Sequence, residues 1–339
     1  MARQILRWAG KALVAGLIAL ALLCGFCFFY YNVPVHYPNP SGATEYVWES
    51  SRFYSRGTEG FAMGRTNNEG FYDSRDLLPG ETVDILLMGS SNAEGAELSQ
   101  RDNMGSVLNT LCGEDLRVYN IGTAGHNFLY CCKHLGAALD RYAPDRAVVI
   151  ELWSLGDSAA DIDAVLDGTY PDIPSHNTGW VVLLQKLPFL RLFYTKYFKG
   201  GALAFGGDGE AAAPLSGSAA ADEAAWRASL DALLDRLAGE SRSHGVQLVL
   251  AYHPTLLLQA DGSARSDGDP ARLAVLRELC GHKGILFADL SERFLAAYEQ
   301  ERLLPNGFSN TAPGSGHLNR IGHRLFAEGV YAALCSGEG

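Results

Sequence analysis

Short apolar runs alternate with longer stretches of helical spacing along most of this chain, and that alternation restricts the fold more than any other feature. Five runs have the length and composition of buried strands, at 83–88, 116–120, 146–152, 246–252 and 285–290. Helical patterns occur at 127–142, 222–244, 271–280 and 322–334. Strands that alternate with helices predict a parallel sheet covered on both faces. The sequence therefore predicts an α/β fold.

An uncharged run of 20 residues lies near the N-terminus, from Ala12 through Tyr31. At about 1.5 Å per residue it spans roughly 30 Å, the thickness of the hydrocarbon core of a bilayer. Three basic residues precede it, Arg3, Arg7 and Lys11. Basic residues on that side predict a cytoplasmic N-terminus at 1–11, one transmembrane helix at 12–31 and an extracytoplasmic remainder.

A cleaved signal peptide is the alternative interpretation of this run. Signal peptides usually have a shorter apolar core followed by a small-x-small cleavage site, whereas this run ends in the bulky aromatics Phe28 to Tyr31. A second alternative is a lipoprotein modified at Cys24, but Leu23 before it is larger than the usual lipidation signal accepts. The sequence favours a retained membrane anchor over both.

Composition limits the partners that this chain is expected to have. It has 339 residues and a formal net charge of −11, with 47% hydrophobic and 19% charged residues. These proportions predict a chain that mostly folds. Nucleic-acid binding needs a basic face, so no nucleic-acid partner is expected. No metal or other cofactor is expected either, because the histidines and acids show no ligand spacing.

Three further segments complete the predicted organisation. Residues 32–80 are polar, aromatic and glycine-rich, and we interpret them as a juxtamembrane segment that lies against the domain at 81–339. Within that domain, 199–221 is rich in glycine, alanine and serine, which is typical of a flexible insertion. The apolar, aromatic stretch at 180–198 is expected to pack on the domain rather than dip toward the membrane.

Seven cysteines are present, and five of them lie outside the apolar run. An oxidising compartment permits disulfides, and an odd number leaves at least one thiol free or paired with another chain. The sequence allows two disulfide bridges and does not decide between them: Cys280 with Cys335, and Cys112 with one of the adjacent pair Cys131 and Cys132.

Four polar segments fall where an α/β fold binds ligands. Three follow predicted strands, and parallel sheets bind ligands at the carboxyl ends of their strands. The fourth opens the last predicted helix. The four segments are Gly89–Gly95, Asn120–Gly125, Trp153–Ser158 and Gly314–His323.

The first and fourth segments carry side chains suited to nucleophilic catalysis. Glycines flanking serines at 89–95 permit a tight strand-to-helix turn that exposes a hydroxyl, although a plain turn with a capping serine is the alternative. His317 supplies an imidazole, the usual base for a serine because it titrates near neutral pH. His253, after the fourth strand, is expected either to contact substrate or to be a structural histidine beside Pro254.

These segments resemble the sequence blocks of SGNH hydrolases, also called GDSL-like hydrolases. GSSNAEG is similar to their GDSxxxG block, with Ser90 where the family usually has Asp, VYNIGTAG to the second block, and GHLNRIGH to the C-terminal block. A stretch at 66–73 resembles one that precedes the first block in membrane-anchored bacterial members. The resemblance covers 66–335. It implies a flavodoxin-like three-layer α/β/α domain with a central parallel sheet, and ester hydrolysis or acyl transfer.

The resemblance also implies roles for single residues. Ser91 corresponds to the nucleophile and His317 to the base, and the backbone N–H groups of Ser91 and Gly125 correspond to oxyanion donors. Gly156 stands where the family usually has an oxyanion-binding Asn. Gly314 stands where it has an Asp that orients the His. Residues expected to contact substrate are Asn92, Gly156, Asp157, His253 and Asn310.

Without that Asp, a backbone carbonyl or Asn310 is the expected partner of the imidazole. The sequence thus predicts a membrane-anchored, extracytoplasmic serine esterase or O-acyl (acetyl) transferase that acts on an acylated cell-envelope glycan or another ester. The alternative is a catalytically inactive module that binds an envelope polymer or partners a membrane acyltransferase. A fluorophosphonate probe, which labels only an activated serine, discriminates between them, and the distance between the Ser91 hydroxyl and the His317 ring is the most informative single observation.

Overall fold

A long apolar helix opens the chain, and five short strands follow it. The structure, a computed structural model, describes residues 1–113, 116–173, 186–194 and 219–336. The strands form a three-stranded antiparallel sheet of order β1-β4-β5 and a hairpin of β2 and β3. These elements are α1 Ala2–Tyr30, β1 Tyr31–Asn32, β2 His36–Pro38, β3 Tyr46–Trp48, β4 Phe53–Arg56 and β5 Ala62–Arg65.

A five-stranded parallel sheet forms the centre of the domain. Its strands are β6 Ile85–Met88, β7 Val118–Asn120, β8 Ala147–Leu152, β9 Gln247–Tyr252 and β12 Leu286–Asp289, in the order β12-β9-β8-β6-β7. A small antiparallel hairpin, β10 Leu256–Leu258 and β11 Ala264–Ser266, follows β9. Each of the five apolar runs contains one strand of the central sheet, so the predicted parallel sheet is confirmed.

Helices cover both faces of this sheet. The described helices of the domain are α2 Ser91–Glu94, α3 Met104–Cys112, α4 Phe128–Tyr142, α5 Ala159–Leu166, α6 Pro188–Tyr194, α7 Ala219–Ser243, α8 Pro270–Lys283, α9 Ser291–Glu301 and α10 Arg320–Ser336. Alternate strand residues point to opposite faces. Leu86 and Val148 pack with α4, α5, α7 and α8, whereas Leu87 and Val149 pack with α3, α9 and α10. The three-layer α/β/α arrangement is therefore confirmed.

Helix α1 is the candidate membrane span. Its 29 residues are long and apolar enough to cross a bilayer by length and composition. Its last turn is joined to the domain, because Cys27 is buried and the Ser55 hydroxyl donates to the carbonyl oxygen of Phe28 at 2.8 Å. The span and the first strand are contiguous, since α1 ends at Tyr30 and β1 begins at Tyr31.

The remaining predictions about segments have mixed outcomes. Part of the stretch at 180–198 is helix α6, which packs against α1 and β1. The predicted insertion at 199–221 lies, as far as residue 218, outside the described residues. All seven cysteines are free thiols, so neither suggested bridge is formed. Cys280 is fully buried within α8, whereas Cys335 is exposed near the end of α10.

Candidate active site

The nucleophile turn follows β6 at the carboxyl edge of the sheet. Ser90 caps α2, and its hydroxyl accepts a hydrogen bond from the backbone N–H of Asn92 at 3.1 Å. A Cβ atom on Gly89 would lie 2.7 Å from Ala93 and from Glu151, so a side chain would not fit there. The resulting turn places Ser91 at the first position of the helix, with its side chain partly exposed.

His317 lies beside this serine. Its Nε2 is 2.9 Å from the Ser91 hydroxyl, although the two residues are 226 positions apart in the sequence. The side chain of Asn92 accepts a hydrogen bond from the backbone N–H of Leu318 at 2.9 Å, which ties the histidine loop to the nucleophile helix. Asn92, expected to contact substrate, thus holds the two halves of the site together.

Glu59 is the residue that sequence reasoning missed. One of its carboxylate oxygens lies 2.8 Å from Nδ1 of His317, and the other accepts the backbone N–H of His317 at 2.6 Å. Burial acts to raise the pKa of Glu59, but the hydrogen bonds and charge of His317 outweigh it and hold that pKa below its ordinary value. An ionised Glu59 fixes the imidazole proton on Nδ1, which leaves Nε2 free to accept from Ser91.

The expectation that Asn310 or a backbone carbonyl orients His317 is therefore wrong. Glu59 lies in the turn between β4 and β5, and Asn310 holds that turn instead. Its side-chain amide donates to the carbonyl oxygens of Gly57 and Gly60, each at 3.1 Å, and its oxygen accepts the N–H of Gly60 at 2.8 Å. Asn310 thereby positions the carboxylate rather than the imidazole.

The loop after β7 lies against the nucleophile helix. The N–H of Thr123 donates to the carbonyl of Gly89 at 3.0 Å, and the N–H of Ala124 donates to Glu94 at 3.2 Å. The hydroxyl of Tyr46 donates to the carbonyl oxygen of Ala124. Gly125 follows with φ of +85° and is exposed. Both the N–H and the carbonyl group of Ala124 are therefore hydrogen-bonded, and these bonds fix the peptide group that carries the N–H of Gly125.

A buried charged network supports this loop and the Glu59 turn. Glu94 accepts the Trp48 indole N–H at 2.6 Å and lies 3.7 Å from Arg56, which is also 3.9 Å from Glu97. Burial raises the pKa of Glu94 to about 7, an effect that Arg56 opposes. Strand β4 is thus linked through Arg56 to the helix that carries the nucleophile.

The third predicted segment offers little side-chain chemistry. Gly156 is exposed and has no side chain to donate, in agreement with the missing Asn. Asp157 is partly buried, and that burial raises its pKa to about 6. The Arg272 guanidinium donates to the carbonyl oxygens of Leu155 at 2.6 Å and Asp157 at 3.5 Å. Arg272 therefore ties the backbone of this segment to α8.

His253 does not lie at the surface of the site, so the expectation that it contacts substrate does not hold. It is 1% exposed, and its Nε2 is 2.8 Å from Glu151. The other oxygen of Glu151 accepts the N–H of Ser90 at 2.7 Å. Burial acts to raise the pKa of Glu151, but the bonds from His253 and Ser90 hold it below its ordinary value. This buried pair supports the nucleophile turn from beneath.

The described residues contain no group of three or more His, Cys, Asp or Glu side chains arranged to hold a metal ion. A cavity of about 740 Å³ lies between the hairpin of β2 and β3 and the end of α4, around Trp48, Glu69 and Arg141. Neither Ser91 nor His317 lines it. The serine and histidine instead meet at the carboxyl edge of the sheet, where each is partly exposed.

Comparison with known proteins gives matches among solved structures. No family model matches the chain, and no curated protein matches it either. The protein TesA matches at 15% identity and TM-score 0.41, covering 75% of this chain and 98% of that one. A candidate SGNH hydrolase of Slackia heliotrinireducens matches at 16% identity and TM-score 0.37, and the match covers 75% of this chain and 99% of that one. An acetyl xylan esterase matches at 15% and 0.38, covering 74% and 98%.

The architecture that the SGNH resemblance implies, a three-layer α/β/α domain with a central parallel sheet, is present in the described residues. The likeness extends no further than the fold, because the identities of these three structures are 15 to 16% and their TM-scores lie below 0.5. The chemistry of the site follows from the side chains of this chain alone.

Proposed function

We propose that this protein is a membrane-anchored, extracytoplasmic serine esterase or O-acyl transferase that acts on an acylated cell-envelope glycan or another ester. One observation carries the proposal: the Ser91 hydroxyl, the His317 ring and the Glu59 carboxylate form a continuous chain of contacts at 2.9 and 2.8 Å. A base oriented by a third group and bonded to a hydroxyl is the arrangement that activates a serine.

The same observation favours the enzyme over the inactive binding module. Two absences favoured the module, that of the acidic residue before His317 and that of the Asn at Gly156. Glu59 fills the role of the first from another part of the chain. The missing Asn at Gly156 is a separate loss, worth about 10²–10³ in rate where a single oxyanion donor is removed. That loss slows an esterase but leaves the nucleophile and its base intact.

The reaction follows from this arrangement. Nε2 of His317 takes the hydroxyl proton as the oxygen of Ser91 attacks the acyl carbonyl, and the ionised Glu59 stabilises the imidazolium that forms. The N–H groups of Ser91 and Gly125 donate to the tetrahedral oxyanion. The imidazolium then protonates the leaving alkoxide, and the acyl group remains on the serine. Water or a sugar hydroxyl gives its proton to His317 as it attacks the acyl-enzyme. The imidazolium then returns that proton to the Ser91 oxygen as the acyl bond breaks, which restores the free serine and the neutral base.

Labelling with a fluorophosphonate probe tests this proposal, because the probe reacts with an activated serine. We expect the full chain to be labelled, and labelling to be lost in Ser91→Ala and in His317→Ala. Ser99→Ala is the matched control, since Ser99 is an exposed serine whose side chain makes no helix-capping bond. A folded protein that takes up no label would support the binding module instead.

The orientation of the Gly125 N–H leads to a second expectation. Because a peptide bond is planar and trans, the hydroxyl of Tyr46 that binds the Ala124 carbonyl also fixes the direction of the Gly125 N–H. We expect Tyr46→Phe to lower kcat about tenfold, a part of the loss of a whole oxyanion donor, with KM nearly unchanged. Steady-state kinetics measure both quantities, and Tyr37→Phe on the paired strand β2 is the control.

Retention of the membrane anchor is supported by the way α1 joins the domain. Cys27 is buried against it, and Tyr30 packs on Gly57, where a Cβ atom would lie 2.7 Å from the tyrosine ring. A cleaved signal peptide would remove these contacts together with the bond between Ser55 and Phe28. An O-acyl transferase of this kind would take its acyl group from a donor such as a membrane acyltransferase, which is the partner we propose.

A further inference from the structure

The sheet of β1, β4 and β5 has two different faces. Because side chains alternate along a strand, Tyr54 and Arg56 point to one face and Phe53 and Ser55 to the other. Tyr54 is fully buried and Arg56 joins the buried network of Glu94, so the first face packs on the domain. Met63 pairs with Ser55 in the register of β4 and β5, and therefore belongs to the second face.

The end of α1 lies on that second face. The ring of Phe28 stacks on Phe53 with centroids 5.2 Å apart, and Phe29 meets the same ring edge-on at 6.5 Å. The Ser55 hydroxyl binds the Phe28 carbonyl at 2.8 Å. The second face is thus in contact with the C-terminal turn of the candidate membrane helix.

Large apolar side chains remain exposed around this C-terminal turn of α1. On the β5 side, Phe61 is 60% exposed and Met63 is 48% exposed. On the β1 side lies α6, whose Arg191 donates to the carbonyl oxygen of Pro34 at 3.0 Å. The membrane-facing surface, as we define it, consists of the exposed apolar residues Phe29, Phe61, Met63, Leu187 and Phe193.

A short series of contacts connects the end of α1, next to the membrane-facing surface, with the nucleophile Ser91. Tyr30, the last residue of α1, packs on Gly57, and Glu59 follows two residues later, at most about 7 Å further along the backbone. From Glu59 the path to the Ser91 hydroxyl is the His317 ring with contacts of 2.8 and 2.9 Å. No linker separates the span from the site.

We propose that the membrane-facing surface rests in the headgroup layer around α1, and that the substrate ester is carried by a membrane-anchored, lipid-linked molecule. Exposed apolar side chains next to a membrane helix gain free energy by entering the interface. The bilayer is the occupant because the surface surrounds the helix that enters it. The substrate assignment rests on the esterase function proposed above, whereas the docking does not.

Photo-crosslinking in vesicles tests the docking. Benzoylphenylalanine is placed at Phe61 or at Met63 in the full chain, reconstituted in vesicles of phosphatidylethanolamine and phosphatidylglycerol. Leu78 is the matched control, because it is an exposed apolar residue outside the membrane-facing surface, seven positions before β6 begins. We expect phospholipid adducts at positions 61 and 63 and none at 78. Adducts to protein alone at 61 and 63 would overturn the docking.

A kinetic comparison tests the substrate class. The double variant Phe61→Asn, Met63→Asn is assayed on methylumbelliferyl palmitate in vesicles and on soluble nitrophenyl acetate. We expect kcat/KM on the vesicle-borne ester to fall about tenfold, from the lost apolar burial of two side chains, and that on the soluble ester to stay within about twofold. Equal losses on both esters would contradict the lipid-linked substrate.

The outcomes separate this inference from the proposed function. Fluorophosphonate labelling of Ser91 without lipid adducts at 61 and 63 would overturn the docking and leave the esterase standing. Lipid adducts without labelling of Ser91 would support the docking and overturn the substrate assignment.

Discussion

Replacing Glu59 by glutamine should lower kcat by about 10³–10⁴ with little change in KM or in thermal stability, because it disables the base without removing it. The glutamine oxygen is expected to keep the backbone N–H of His317, now bound at 2.6 Å. Its NH₂ group then faces Nδ1, at the position of the present 2.8 Å contact. That arrangement moves the imidazole proton to Nε2, and a protonated Nε2 cannot accept a hydrogen bond from the Ser91 hydroxyl.

Steady-state kinetics and the rate of fluorophosphonate labelling measure this effect. Glu49→Gln is the matched control, because Glu49 lies in the same N-terminal segment, has similar side-chain exposure (25% against 22%), and forms an ion pair with Arg52 instead. The kcat of Glu59→Asp should lie between that of Glu59→Gln and that of the control Glu49→Gln, since aspartate keeps the charge but its shorter side chain does not reach the His317 ring as well. Activity of Glu59→Gln within about threefold of the unchanged protein would remove Glu59 from the triad.

The meeting of Ser91 and His317 was predictable from the sequence because it follows from a general property of parallel sheets. Apolar runs of strand length located β6 and its neighbours, and the carboxyl ends of such strands share an edge. The short motifs then placed a hydroxyl and an imidazole at that edge. The order of elements and these short motifs were sufficient, without any information on long-range contacts.

Glu59 was not predictable by the same reasoning. It contacts a residue 258 positions away, from a turn between strands of four residues each. Runs that short carry too little alternation to indicate a strand, and the segment at 32–80 has a mixed aromatic and polar composition. The replacement of an adjacent acid by a distant one depends on tertiary packing, which sequence spacing does not report.

The pairing of His253 with Glu151 is predictable from the composition of β8. Glu151 is a single carboxylate in the otherwise apolar run of β8, where every residue is buried. A buried carboxylate needs a hydrogen-bonded partner because isolated burial of its charge is costly. The strand neighbouring β8 is β9, and His253 follows its last residue. This reasoning predicts the pair and places His253 beneath the turn rather than at its surface.

Replacing Arg56 by methionine should destabilise the protein by about 3–5 kcal/mol at pH 8, the usual cost of removing one partner from a buried ionic network. Arg56 is the cation nearest to Glu94 and Glu97, whose side chains are 1% and 9% exposed. Without it, two buried carboxylates repel each other. Arg65→Met is the control on the neighbouring strand: its ion pair with Asp76 is half exposed, so the loss should stay within about 1 kcal/mol.

The destabilisation of Arg56→Met should be smaller at pH 5 than at pH 8. The pKa of Glu94 is already raised to about 7 in the folded protein, and loss of Arg56 raises it further. A raised folded pKa means that this group contributes stability below its unfolded pKa of about 4.3, and that the contribution is lost as pH rises through the folded value. Urea unfolding at both pH values measures the difference, and adding Glu94→Gln should recover part of the loss at pH 8. An equal deficit at both pH values would mean that Arg56 acts through packing rather than through its charge.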